Sequence, residues 1–105
     1  MKEAVILERG DALCVSLGCE IDHHSARIIR EGVDSALAEK KPKEVILDFS
    51  DVSFMDSSGI GLIIGRAAKA EEIGAALTVK GLSQPLLRLV RMSGVTKLKG
   101  LKIID

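Results

Sequence analysis

Apolar and polar residues recur along this chain with two different periods, and the switches between them mark out its elements. Ala4 to Glu8 reads as a short apolar strand. Ala12 to Leu17 reads as a second, with Leu13, Val15 and Leu17 on one face. Arg9-Gly10-Asp11 between them is a turn in which Gly supplies the permissive backbone, so the two strands should pair antiparallel. From Asp22, a candidate N-cap, the period changes. Ala26, Ile29, Val33, Ala36 and Leu37 now fall at helical spacing, until Lys40-Lys41-Pro42 stops the helix. Glu44 to Phe49 is a nearly continuous apolar, β-branched run, which predicts a central strand buried on both faces. Ser57 to Ile73 predicts a second helix with Ile60, Ile63, Ile64 and Ala67 turned inward and Gly74 at its C-terminal cap. Ala75 to Val79 is the next strand. Ser83 caps a third helix, with Pro85 in its first turn, Leu86, Leu89 and Val90 as its apolar stripe, and Gly94 closing it. Leu98 to Ile104 adds a last strand.

The order β-β-α-β-α-β-α-β predicts an α/β fold: a mixed sheet with helices packed mainly on one face. A chain of 105 residues without linker, repeat or low-complexity tract is read as one domain, 1–105. Composition then narrows the chemistry. Lys+Arg and Asp+Glu number 15 each, so no net charge steers DNA or an anionic membrane to the protein. Aromatics are 2% with no Trp or Tyr, which argues against base-stacking and sugar-binding clefts. No stretch approaches the roughly 18 apolar residues that span a bilayer, and Met1-Lys2-Glu3-Ala4 runs straight into strand pattern without a signal peptide. A cytoplasmic location is expected. Cys14 and Cys19 should face opposite sides of an extended chain and act as small hydrophobes rather than a disulfide.

The candidate chemistry lies in Met55-Asp56-Ser57-Ser58-Gly59-Ile60-Gly61, at a strand-to-helix junction. An Asp or Ser before an apolar periodic run is most often an ordinary helix cap. Here Asp, Ser and Ser come together, and Gly59 and Gly61 then bare the first turns at about 1 kcal/mol each against Ala. Stability alone would not select that; close approach of another protein would. Ser57 is therefore expected to be a phosphorylation switch on a protein-binding domain, at a helix start that favours added negative charge. Asp22 opens its helix at a similar junction, and if the second and third strands are neighbours the two belong to one surface.

Other constellations are weaker. His23 and His24 are adjacent, so on a helix they point about 100° apart and chelate poorly. A hydrolase triad of Ser57, His23 and Asp22 lacks the G-x-S-x-G turn and needs an awkward relay between sequence neighbours. Asp48, Asp51 and Asp56 flank the central strand as in a phospho-acceptor receiver, and Lys80 follows the fourth strand, but no acidic pair follows the first. Arg88, Arg91, Lys97, Lys99 and Lys102 read as a solvated face, or as part of a partner surface.

Leu47 to Gly61, LDFSDVSFMDSSGIG, resembles the signature of STAS domains, the bacterial anti-sigma factor antagonists. Glu20-Ile21-Asp22-His23-His24, Ser83-Gln84-Pro85 and Met92-Ser93-Gly94 are similar to the sporulation branch, which antagonises the anti-sigma F factor. The likeness runs from about Val5 to Ile104. It implies that an anti-sigma factor serine kinase phosphorylates Ser57, that the unphosphorylated form binds this kinase and frees the sigma factor, and that a phosphoserine phosphatase resets the switch. Partner-binding residues would be Asp22, Asp56, Ser58, Gly59, Ile60 and Gly61. No catalytic residue, metal or cofactor is implied; the chain would be a monomeric substrate and binding module, not an enzyme. A scaffold-type STAS subunit of a stress-signalling complex is the alternative, and a serine hydrolase using Ser57 a more remote one. The family commonly carries Gly where Cys19 stands, and many relatives continue past the position of Asp105 into a C-terminal helix.

Overall fold

A computed structural model describes residues 2–104. It begins with a hairpin, β1 (Ala4–Arg9) and β2 (Ala12–Leu17), paired antiparallel from Ala4 opposite Leu17 to Arg9 opposite Ala12. Gly10 takes φ +60° at the first central turn position, the requirement of a type II′ turn, which matches the twist of the strands it joins. There follow α1 (His23–Lys40), β3 (Glu44–Asp48), α2 (Ser57–Glu72), β4 (Ala76–Lys80), α3 (Gln84–Met92), a short 3₁₀ turn (Val95–Lys97) and β5 (Leu101–Ile104). The five strands lie in sequence order, and every pair after the first is parallel.

The register stacks side chains into two unlike faces. Leu13, Val45 and Leu77 stand in one row, and Val15, Leu47 and Val79 in the next; all six are buried. Ile29, Val33 and Leu37 of α1, Ile63 of α2 and Val90 of α3 join them in one core. On the opposite face Val5 and Leu7 are exposed and Cys14 and Ile46 only half-buried. β3 is thus central, but it is not buried on both faces: Ile46 points to the uncovered side, and only Val45 and Leu47 are sealed. The cysteines are likewise half-buried, and neither forms a disulfide.

Three other expectations shift. Ile64 lies 45% exposed, because the helical period sets it on the outer side of α2; Leu62, Ala70 and Arg66 are buried on that helix instead. Leu98 and the residues up to Gly100 precede β5, since the 3₁₀ turn intervenes. Ser83 caps α3 by position but without a side-chain hydrogen bond. Among the described residues no helix is long and apolar enough to cross a membrane.

Candidate functional site

β2 and β3 are parallel neighbours, so the loops leaving their C-terminal ends emerge side by side. A single parallel bridge ties them: Ile21 N–H donates to the Phe54 carbonyl at 3.0 Å, and Asp56 N–H donates to the Ile21 carbonyl at 3.1 Å. Ile21 and Met55, the bridged pair, are buried. The next residue on each side is the N-cap of a helix, Asp22 for α1 and Asp56 for α2. The expectation that both junctions share one surface holds, and the bridge is its cause.

The two caps differ in finish. Asp22 Oδ1 accepts from Ser25 N–H at 2.9 Å, Asp22 N–H donates to Ser25 Oγ at 3.0 Å, and Ser25 Oγ donates to the Glu20 carbonyl at 2.8 Å. This is a full capping box. The Ser25 N–H bond holds the Asp22 carboxyl below the usual carboxylate range. Asp56 Oδ1 accepts only from Ser58 N–H, at 2.7 Å. The residue that would close a box on α2 is Gly59, which has no side chain to do so.

Ser57 is the first residue of α2 and is exposed, and its hydroxyl makes no hydrogen bond among the described residues. Asp22, Asp56 and Gly61 are exposed with it, while Ser58 and Ile60 are half-buried. Gly59 departs from the expectation that bare glycines serve an outside partner. It is buried, and a Cβ there would lie 2.5 Å from Met55 Sδ and 3.1 Å from Met55 Cβ. Its bareness makes room for Met55. Gly61 meets nothing within 4 Å, so no internal packing asks for a glycine there.

The remaining acids stand apart. Asp48 is spent on the start of the β3–α2 loop, accepting from Ser50 N–H at 2.9 Å and Ser50 Oγ at 2.6 Å, with Lys80 Nζ at 4.0 Å. Burial pushes its proton affinity up, but the Ser50 bonds and Lys80 outweigh this and hold its pKa below the ordinary value. His23 and His24 diverge as their adjacency predicts: only His23 faces the groove between α1 and α2.

Profile comparison matches residues 3–104 to the STAS domain family. The chain belongs to that family. This STAS domain is 35% identical over 86 residues to an anti-sigma F factor antagonist of Paenibacillus polymyxa, covering 82% of this chain and 74% of the relative. It is also 35% identical over 81 residues to an anti-sigma-B factor antagonist of Bacillus subtilis, covering 77% and 72%. Among solved folds it is similar to the anti-sigma factor antagonist SpoIIAA in its unphosphorylated form, with TM-score 0.76 and 24% identity over 97% of this chain and 87% of that one. The phosphorylated form of SpoIIAA gives TM-score 0.74 at the same identity, over 97% and 91%.

Sequence reasoning missed the groove that opens beside Ser58. It lies between α1 and α2, has a volume of about 540 Å³, and includes Ala26, Gly61 and Gly65 in its lining. One of its walls holds Arg66, 4% exposed and paired with Asp34 of α1. The signal was present: an arginine at a core-facing position of an apolar helix requires a buried partner.

Proposed function

We propose that this STAS domain is an anti-sigma factor antagonist switched by phosphorylation of Ser57. The unphosphorylated form binds an anti-sigma factor kinase and so frees a sigma factor; a phosphatase restores it. The observation that carries this reading is the exposed, unbonded Ser57 hydroxyl at the start of α2, flanked by two exposed aspartate caps. The names of the sequence relatives and the existence of SpoIIAA in both phosphorylation states support it.

Local charge would work the switch. A phosphoryl group adds about −1.5 to −2 charges and three acceptor oxygens. At the positive end of the α2 dipole the fold tolerates this charge. A partner surface packed over Asp22, Asp56, Ser58, Ile60 and Gly61 does not, because the site already carries two carboxylates. A loss of about 3 kcal/mol weakens binding more than 100-fold, with no large conformational change. Gly59 acts from beneath, by seating Met55 under the cap. The kinase supplies the catalytic groups, so Ser57 needs no base in this chain, which acts as substrate and binding module in the cytoplasm.

Incubation with the cognate anti-sigma kinase and ATP tests the reading. Mass spectrometry should find the phosphoryl group on Ser57. Ser57→Ala should bind the kinase and stay unmodified, and Ser57→Asp should bind at least about 100-fold more weakly with its melting temperature preserved. Label that persists in Ser57→Ala, or full binding by Ser57→Asp, overturns it.

A further inference from the structure

The groove between α1 and α2 carries two arginines that no ion pair among the described residues balances. His23, Arg27 and Arg30 recur at spacings of four and three on α1, so they share the face that looks onto α2. From α2, Arg66 reaches the same space. Its Nη2 donates to Asp34 Oδ2 at 3.1 Å, and its Nε stands 2.8 Å from Oδ1, off the hydrogen-bonding line, as a charge contact. Asp34 is thereby committed. Arg27 and Arg30 are exposed and have no ion-pair partner among the described residues. In a chain with as many acids as bases, this is a local excess of two guanidinium groups. Both helices begin at the Ser58 end of the groove, where the cap carboxylates Asp22 and Asp56 already answer their positive dipole ends, so the uncompensated charge is that of Arg27 and Arg30 further along α1. Burial lowers the proton affinity of Arg66 and Asp34 opposes that, while the charge of Arg30 presses it lower, so Arg30 acts on the buried pair.

The lining suggests what would fill the space. Guanidinium groups match carboxylates two bonds at a time. Ala26, Gly61 and Gly65 keep the groove wide enough for a polypeptide segment to come close. No Phe, Tyr or Trp lines it. From His23 to Arg30 the wall runs about 10 Å along the helix, the length of a few residues of a bound segment. One end of the groove is Ser58, next to the switch residue.

We propose that the α1–α2 groove is a docking slot for an acidic segment of the protein that engages the Ser57 cap, held there by Arg27 and Arg30. The inference rests on the switch reading of Ser57 and extends it. A phosphoryl group on Ser57 then acts twice: it repels the carboxylates seated beside it, and it competes with them for the same arginines.

The test compares the full chain with Arg27→Glu/Arg30→Glu for binding to the anti-sigma kinase, by calorimetry at low and at higher salt. Both side chains are exposed, so the variant should stay folded; because Arg30 acts on the Arg66–Asp34 pair, Arg27→Gln/Arg30→Gln, which sets no acid beside that pair, should melt with the wild type and lose affinity in the same direction. The expected result is a loss of at least about 10-fold in affinity and a flatter salt dependence, with Arg27→Lys/Arg30→Lys falling between. Arg88→Glu/Arg91→Glu on α3, away from the groove, should bind as the wild type does. Unchanged affinity and salt slope in Arg27→Glu/Arg30→Glu overturn the docking slot and leave the Ser57 switch standing. An equal loss in Arg88→Glu/Arg91→Glu overturns it as well, because net charge rather than the groove would then be at work. Titration of the wild type with inorganic phosphate or ATP, followed by amide shifts, closes the other route: saturable shifts at Arg27 and Arg30 with partner binding insensitive to the charge reversal make the groove a small-anion site and refute the proposal. A wild type that does not bind the kinase at all removes both readings together.

Discussion

At the start of α1, Asp22 and Ser25 answer each other with both backbone and side chain, and Ser25 is buried while doing so. At the start of α2, one bridge away, Asp56 acts alone, glycine stands where Ser25 would be, and the Ser57 hydroxyl faces water unbonded. Both helices leave parallel strands at the same end of the sheet, so fold position does not explain the difference. Local hydrogen bonding is saturated at the α1 start, where no hydroxyl is left free. At the α2 start, the site of the proposed switch, the hydroxyl is left unbonded, and the buried Arg66–Asp34 pair and the Ile21–Met55 bridge tie down the elements that carry it.

The largest expected effect separates the two glycines of α2. Gly59→Val must displace Met55 along its whole side chain, since even a Cβ meets Met55 from Cβ to Sδ. Overpacking of that kind costs about 2 kcal/mol. For a domain of this size that lowers the melting temperature by about 4–8 °C for each kcal/mol. Gly61→Ala meets nothing, and should stabilise the helix by about 0.5–1 kcal/mol while weakening binding of the anti-sigma kinase. Thermal denaturation of both variants decides the matter; equal losses would mean that the two positions are packed alike.

A smaller effect contrasts the two cap serines directly. Ser25→Ala deletes a buried hydroxyl that donates to the Glu20 carbonyl and accepts from Asp22 N–H, and should cost about 1–2 kcal/mol. Ser58→Ala removes a hydroxyl with no bonding partner among the described residues; its cap bond runs through the backbone N–H, which alanine keeps. Its stability should stay within about 0.5 kcal/mol of the wild type. Urea denaturation with a shared m-value reads both, and a Ser58→Ala loss as large as that of Ser25→Ala would erase the contrast between the two starts.

Much of this arrangement is legible in the residues because it is local. The alternation of Leu13, Val15 and Leu17, the Gly10 turn and the caps at Asp22 and Asp56 each depend on a few neighbouring positions. Where the reading slips, a long-range fact decides. Val45-Ile46-Leu47 looks buried throughout, yet the sheet has one uncovered face, and Ile46 falls on it with Cys14. Ile64 is apolar and four residues from Ile60, but it is seven from Ser57 and three from Gly61, which puts it on the outward stripe with them. The Arg66–Asp34 pair joins residues 32 apart in sequence, and the groove is lined by two helices that meet only in the folded chain. The glycine pair teaches the same lesson in reverse: identical residues two positions apart, one needed by the core and one not.

The smallest effect is electrostatic. The Asp22 carboxyl titrates lower in the folded chain than in the unfolded one, chiefly because Ser25 N–H donates to its charged form. A group with a depressed folded pKa stabilises the native state above its unfolded value, near pH 4, and gives that stabilisation up as pH falls through the folded value. Asp22→Asn keeps a competent cap without the charge. The wild type should therefore lose melting temperature faster than Asp22→Asn as pH drops below about 4, and the two should run parallel at neutral pH. The step should be slight, because the carboxyl is exposed and screened by water. Parallel curves through the acid range would show that the α1 cap holds by geometry alone, and the contrast between the two helix starts would then rest on Ser25 rather than on its aspartate.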